Sequence, residues 1–449
     1  MSKTFRPYEP DQIFLMPASM RDWLPSDHLA YFISEVVDHL DLSAIMECYQ
    51  VEERGYPPYH PAMMVKVILY AYCTGVVSSR KIQKRVCEDI AFRVLAANNT
   101  PDFRTISDFR KGNLKALAAL FLQVLKLCQR AGLVKLGHIS LDGTKIKASA
   151  SKHKAMSYKR MKEEEARLEA EVAVLMKKAE AVDEEEDHWY GKDKRGDELP
   201  KGMAFRESRL KKIREAKKAL EEEAKREAEI AAASNMKHPG VPDDKAQRNF
   251  TDPESHIMPA PGGKDFIQAY NAQAAVDSAH QVIVAAEVTD QPSDKGQAVP
   301  MMRQVKENTG ELPRQMSADA GYFSSGVVRD LAADGIDAYI PPDKMRHACK
   351  LPAAPRGRIP NCLSIVDRMR RKLRTKRGQK SYGLRKELSE PVFGQIKQAR
   401  GFRQFLLRGK EKVKGEWRLI CTVHNVLKLF GARNVGLVGQ ELWSQLPAA

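Results

Sequence analysis

The order of periodicities along this chain constrains its fold more than any single motif. Residues 1 to about 133 repeat their apolar positions at helical spacing, and strand-like runs begin only at His138. The strand pattern then stops, and it resumes after residue 262. The stretch between does not read as sheet, because residues 161–230 hold 17 Lys and Arg and 21 Asp and Glu, with no Cys and one Trp. Within it, Leu168, Val172, Leu175 and Ala179 form one helical stripe, and Leu210, Ile213, Leu220 and Ala224 form a second. Gly191, Gly196 and Pro200 separate them. Narrow apolar stripes on charged helices predict an antiparallel hairpin inserted into a sheet domain.

In the N-terminal part, Ser26-Asp27-His28 precedes an amphipathic stretch with Leu29, Phe32, Ile33, Val36, Val37 and Leu40. Pro61 suits the first turn of a helix running through Met64, Ile68 and Tyr72, which Gly75 ends. The next helix, from Ser78 or Ser79, carries Arg80, Ile82, Val86 and Ile90. A helix, a short Gly-containing turn and a basic second helix resemble a DNA-binding module, and an ordinary helical bundle fits them equally well. Thr105 with Asp108 predicts a cap opening one long helix through Phe109, Leu117, Leu120, Leu125 and Cys128 to Gly132. Strands are expected at His138–Leu141, Phe266–Val276, Gln281–Thr289, Gln315–Ala318 and Asp337–Ile340, with helices near 294–308 and 324–334. Strands followed by alternating helix and strand argue for an α/β sheet over a sandwich.

Charge then narrows the function. The chain carries 74 Lys and Arg against 58 Asp and Glu, a net +16. Residues 368–414 alone hold 17 basic and 3 acidic residues, a local +14. A solubilising surface would spread such charge, whereas a phosphate-backbone footprint concentrates it, so a nucleic-acid partner is expected. The longest apolar runs, Val67–Val77 and Ala116–Leu125, fall short of the ~18–20 residues a membrane span needs. The start, MSKTFRPYEPDQ, has no apolar core and does not read as a secretory signal. Seven cysteines without a CxxC pair predict free thiols, mostly buried, in a reducing compartment. His347, Cys349 and Cys362 lack the second close pair that would complete a tetrahedral metal site.

Three acids stand where metal-dependent phosphoryl transfer would want them. Asp142 ends the first strand in ISLDGTKIKA, Asp319 ends a later one in MSADAGYFS, and Glu390 lies on a helix in YGLRKELSEPVFGQIKQARGFRQF. An Asp at a strand's carboxyl end points into the crevice where α/β sheets bind ligands. Hard divalent ions want carboxylate oxygens, and two such ions can activate an attacking oxygen and stabilise a leaving one at a phosphodiester. Singly, each acid has a plainer reading as a turn residue or a helix-end acid. Together they are more specific, because Glu390 lies among Tyr382, Arg385, Lys386, Lys397, Arg400 and Arg403, a structural ion pair needing one base and not this many. Lys397, seven residues after Glu390, is expected on the same helix face.

Other polar residues read as structural. Asp290 and Asp294, in VTDQPSDKG, suit a turn and a helix cap, and Asp265 and Asp277 flank a strand. His424 reads as a packed or surface histidine. Lys145 and Lys147 could touch a DNA backbone or simply be solvated.

In LDGTKIKASAS, NFTDPESHIM, QAYNAQAAVD, ADAGYFS and EPVFGQIKQARGFRQFLLRG, preceded by DQIFLMPASMRDWLPSDHLAYFISEVVDHLDL, YHPAMMVKVILYAYCTGVVSSRKIQ and PDFRTISDFRK, the sequence is similar to bacterial insertion-sequence transposases of the DDE superfamily. The closest likeness is to the type with a long charged insertion after the first Asp. The resemblance implies an α/β, ribonuclease-H-like mixed sheet with flanking helices, preceded by a helical domain and interrupted by the hairpin. It implies Asp142, Asp319 and Glu390 as the metal-holding triad, with Mg²⁺ or Mn²⁺ in two positions. Tyr382, Arg385 and Lys397 match the family's Tyr, Arg and Lys around the Glu, and Arg400 and Arg403 join them as expected DNA contacts. Where related groups place Arg four residues before the Glu, Lys386 stands here and Arg385 lies five before. Glu387, the competing acid, lacks the following Pro-Val-Phe-Gly.

The expected division is 1–133 for DNA-end binding, 134–150 with 263–433 for catalysis, 151–262 for the insertion and 434–449 for a tail. The implied activity is cleavage at the element's ends, exposing a 3′-hydroxyl that attacks target DNA. The expected partners are double-stranded DNA and further copies of the chain, as a homodimer or higher oligomer, in the bacterial cytoplasm at the nucleoid. A non-catalytic DNA-binding copy would have lost an acid, and none is lost; a plain nuclease would share the site but release ends without joining them.

Overall fold

A computed structural model describes residues 19–49, 57–190, 201–233, 239–260, 265–343, 354, 357–360 and 362–439. The sequence readings at residues 1–18, His347, Cys349, Gly191, Gly196, Pro200 and most of the tail lie outside them. Seven helices come first: α1 (Leu29–Asp38), α2 (Ser43–Met46), α3 (Pro61–Cys73), α4 (Ser79–Glu88), α5 (Ile90–Leu95), α6 (Phe103–Gly112) and α7 (Leu114–Arg130). Pro61 occupies the first turn of α3, which is buried along almost its whole length. By contrast, α4 buries only Ile82 and Val86 and leaves Arg80, Lys81, Lys84 and Arg85 in solvent. The expected long helix is two. Asp102, not Thr105, caps α6, its carboxylate accepting from Arg104 N (2.7 Å) and Thr105 N (2.8 Å). The chain then breaks at Asn113 before α7.

The strands are β1 (His138–Lys147), β2 (Ala155–Ser157), β3 (Gln247–Asn249), β4 (His256–Pro259), β5 (Phe266–Asp277), β6 (Ile283–Thr289), β7 (Gln315–Ser317) and β8 (Asp337–Tyr339). One mixed sheet runs β4-β5-β1-β7-β8, with β6 also on β5. β5 lies antiparallel to β1, β4 and β6, while β7 and β8 run parallel to β1. The architecture is thus mixed α/β with a helical N-terminal region, as expected.

β1 corrects the expected boundary. It does not end before Asp142 but continues to Lys147, with Asp142 opposite Ala274 of β5. The parallel neighbour β7 pairs only with His138–Ser140. Asp142 therefore has a strand on one side and, among the described residues, no strand on the other. The crevice expected at a strand end exists because the neighbour stops, not because β1 does.

Between β2 and β3 rise α8 (Tyr158–Tyr190) and α9 (Lys201–Ala233), running antiparallel. Their seam holds Tyr158, Met161, Leu168, Leu210, Ile213, Ala216 and Leu220, a cluster separate from the main core. Cross-helix pairs flank it: Arg206–Glu171 and Arg209–Glu164 at 2.9 Å, and Lys217–Glu165 at 2.7 Å. Part of the segment's charge is thus paired between its own helices.

Six further helices complete the fold: α10 (Ala298–Thr309), α11 (Ser325–Ala333), α12 (Ile365–Arg374), α13 (Lys376–Gly394), a π-helical turn at Gln395–Ala399, and α14 (Lys410–Asn434). α14 is buried on most faces and packs between α7 and β6, so the N-terminal helices and the sheet share one continuous core. Gly415 marks the seam, where a Cβ would meet Leu114 Cγ at 2.9 Å. Among the described residues no helix is long and apolar enough to cross a membrane. Of the described cysteines, Cys73, Cys128 and Cys421 are buried free thiols, and Cys48, Cys87 and Cys362 are exposed.

Candidate active site

Asp142 is the most confined acid. Its Oδ1 accepts from Gly143 N at 2.9 Å, and its Oδ2 receives Arg385 Nη1 at 2.9 Å. Burial pushes its carboxyl up to about 7; Arg385 opposes this and Asp319 and Asp294 reinforce it. Asp319 follows β7 and caps a short 3-10 turn, Oδ1 accepting from Gly321 N at 2.8 Å. Its carboxyl too is raised, by burial first and then by Asp294.

Glu390 arrives on α13. Thr375 caps that helix, and Gly378 lets its first turn close on α12, because a Cβ there would lie 2.1 Å from Lys372 O. Pro391, inside the helix, has no N–H for the Glu387 carbonyl, and Gln281 Nε2 donates to that carbonyl at 2.8 Å instead. Ser389 Oγ lies 2.5 Å from Ser140 Oγ, locking α13 to β1 two residues before Asp142. Glu390 itself is half exposed and reaches Arg385 Nη2 at 3.5 Å. Arg385 therefore bridges Asp142 and Glu390, five residues before the Glu, while Lys386 at four before is exposed. Tyr382 is half-buried beside Arg385 and Asp319, and burial raises its phenol. Among the described residues, no three His, Cys, Asp or Glu side chains are gathered closely enough to hold a metal ion.

The other expected DNA contacts separate. Lys397 lies in the π-helical turn that follows α13. Its Nζ donates to Thr144 Oγ1 and, at 2.8 Å, to Lys145 O. Burial, with Arg403 and Lys145 adding to it, lowers that ammonium to about 8. Arg403 is exposed, bonded to Lys397 O and Gln398 Oε1. Arg400 corrects the sequence reading: it is 7% exposed, under the α3–α4 turn, and cannot lie along DNA there. Its Nε donates to Gln395 O and its Nη2 to His424 Nδ1, both at 3.2 Å. His424 is a packed residue whose Nε2 lies 2.9 Å from Gln281 O, and burial drives its pKa down to about 3. The aromatic spacing that buries Phe402 and Phe405 was a signal that part of this basic segment faces inward.

Asp290 pairs with Lys410 at 3.0 Å, and Asp277 accepts backbone N–H groups from Leu136 and Ala279, as structural residues do. Asp294 departs from its expected helix cap. Gln297 stands at the N-cap of α10, and the Asp294 carboxylate turns inward, accepting from Asn271 Nδ2 (2.6 Å) and Gln273 Nε2 (2.7 Å). Lys145 Nζ approaches it at 3.6 Å. Gly143 and Gly321, the residues beside the two catalytic-type acids, were the available signal.

Desolvated acids at an open edge of a mixed α/β sheet, under a basic helix, define a class of protein suited to a polyanionic substrate. The comparisons place the chain within it. Residues 18–112 match the family described as Transposase domain (DUF772), and residues 344–430 match the one described as Transposase DDE domain. Both matches are to transposase domains, and together they support an insertion-sequence DDE transposase, a family that acts on DNA and generally uses divalent metal ions. The second match contains Tyr382, Arg385, Glu390 and Lys397; Asp142 and Asp319 lie outside both. No curated protein and no solved structure matches the chain.

Proposed function

We propose that this transposase cleaves DNA at the ends of its insertion sequence and joins the exposed 3′-hydroxyl to target DNA, using Asp142, Asp319 and Glu390. One observation carries the reading: Asp142 and Asp319, 177 positions apart in sequence, share a desolvated field at the sheet's open edge, with Arg385 linking Asp142 to Glu390. We read the strand order β6-β5-β1-β7-β8 as ribonuclease-H-like.

The donor chemistry fits a divalent cation. Buried, mutually repelling carboxylates need positive charge, and carboxylate oxygens are the donors Mg²⁺ and Mn²⁺ prefer. Asp142, Asp319 and Glu390 would hold such ions, which would supply an activated oxygen nucleophile and stabilise the leaving oxygen. Arg385, already at the acids, orients Asp142 and places a guanidinium where a scissile phosphate would enter. Tyr382 lies beside it as a hydroxyl donor. Lys397 stiffens β1 at Thr144 and Lys145 and so positions Asp142. The exposed basic residues Arg368, Lys376, Lys380, Lys386, Arg403, Arg408 and Lys412 would track the DNA backbone, and the α4 face would read the element's end. The protein would act as a homodimer or higher oligomer at the bacterial nucleoid.

Asp142→Asn, Asp319→Asn and Glu390→Gln test this. Each should abolish strand cleavage and leave gel-shift affinity for DNA within a few-fold, since the amides keep shape but lose the charge that holds metal. Near-wild-type cleavage by any one variant removes that residue from the triad.

A further inference from the structure

From the geometry we infer that Asp294 is a fourth acid of this centre, a positioning residue that fixes the metal-holding edge from behind; the inference rests on the active-site reading above. Asp294 lies in the loop before α10, where it had a helix N-terminus within reach, yet its side chain forms no cap. Instead Oδ1 takes two short amide hydrogen bonds from Asn271 and Gln273. Those residues sit on β5 directly opposite Lys145 and Gly143, the third and first residues after Asp142. Oδ2 is turned toward Gly321, beside Asp319.

Gly143 leaves room for this carboxylate, while Gly321 is tight only against Asp319. A Cβ on Gly143 would lie 2.6 Å from Asp294 Oδ1 and 2.4 Å from Gln273 Nε2, and one on Gly321 would lie 3.5 Å from Asp294 Oδ2 and 3.0 Å from Asp319 Oδ1. The backbone after Asp142 is thus built against Asp294, and the turn after Asp319 lies in ordinary contact with it. Gln273 extends the clamp: its Oε1 receives Tyr322 OH, and its carbonyl receives Trp417 Nε1 at 2.9 Å. Asn271, fully buried, adds an independent sign, because its Oδ1 faces Gly143 with no hydrogen-bond partner. An orphan acceptor beside the Asp294 carboxylate is stabilised by added positive charge or a donor at this spot. Asp294 also pairs with Lys145 at 3.6 Å, an ammonium that feels all three Asp residues.

Outer-sphere partners of metal-holding carboxylates typically change metal affinity by 10–100-fold when removed. The test is Mn²⁺ binding by the full-length chain, followed by electron paramagnetic resonance without DNA, beside thermal unfolding. Asp294→Asn should weaken Mn²⁺ binding about tenfold or more. Asp290→Asn, in the same loop but paired with Lys410, should bind Mn²⁺ as the wild type does. Wild-type Mn²⁺ affinity in Asp294→Asn overturns the inference. If that variant fails to fold, Asn271→Ala decides in its place: weakened Mn²⁺ binding supports the clamp, and unchanged binding overturns it. Asp142→Asn run in parallel separates the two readings, since unaltered Mn²⁺ binding there removes the active-site assignment itself.

Discussion

Arg400 and Arg403 lie three residues apart in the most basic part of the chain, and their substitutions should diverge completely. Arg400 is buried and donates two 3.2 Å hydrogen bonds, to Gln395 O and His424 Nδ1, while its Nη1 has no partner. Truncation to Ala removes two charge-assisted bonds worth about 1.5 kcal/mol each at the weak end of their range. It also leaves His424 Nδ1 unsatisfied and opens a cavity, while releasing a buried charge that no carboxylate among the described residues compensates, which offsets part of the loss. The net expectation is a destabilisation of about 2–4 kcal/mol, seen as a lower urea midpoint. Arg400→Met, which refills most of the volume, should cost less than Arg400→Ala. Neither change should alter the salt dependence of DNA binding. Arg403→Ala should do the reverse: stability should hold, and the slope of log affinity against log salt should flatten by up to about 0.9, one released counterion. Binding from 50 to 200 mM salt with urea titration of each variant is the assay. A flattened slope with intact stability in Arg400→Ala would refute the inward placement and return that residue to the DNA face.

Three further outcomes follow from the geometry. Because burial raises Asp142 to about 7, the folded metal-free protein favours the protonated acid, so this group's stabilisation is full below its unfolded pKa and is lost as pH rises toward 7. Divalent-ion binding has the opposite sign: calorimetric Mn²⁺ affinity should fall as pH drops below about 7, and a flat profile from pH 5 to 8 would contradict the confinement of Asp142. Gly415→Ala should cost about 1–3 kcal/mol in urea unfolding through its 2.9 Å clash with Leu114; an unchanged midpoint would mean the α7–α14 seam is loose. Replacing residues 161–230 by a short Gly/Ser linker should leave the sheet folded by circular dichroism and hydrogen exchange, because the hairpin core is separate from the main one; full transposition by that variant would make the hairpin a spacer.

The sequence by itself determined the large divisions. Helical spacing before residue 133, the switch of period at His138 and the charged stripes of 161–230 are local patterns, and each became the expected kind of element. The sequence also named Asp142, Asp319 and Glu390 as candidates for the role proposed above. Their surroundings were not legible there. Whether β1 stopped at Leu141 or ran on to Lys147 depended on β5 pairing along all of it, a contact with residues 269–277 that no local pattern encodes. The basicity of 368–414 promised a single DNA-facing surface, yet a π turn and the packing of Phe402 and Phe405 turn Arg400 inward and tie Lys397 to β1. Asp294 passed for a helix cap because sequence shows only the nearest helix, whereas two amides on β5 and the missing Cβ of Gly143 decide where the carboxylate goes. Side-chain type and spacing fix which elements can form; which face of an element meets water, an acid or the core is set by partners on other elements, 21 residues away for Asp294 and 252 for Lys397, and only the folded chain brings those together.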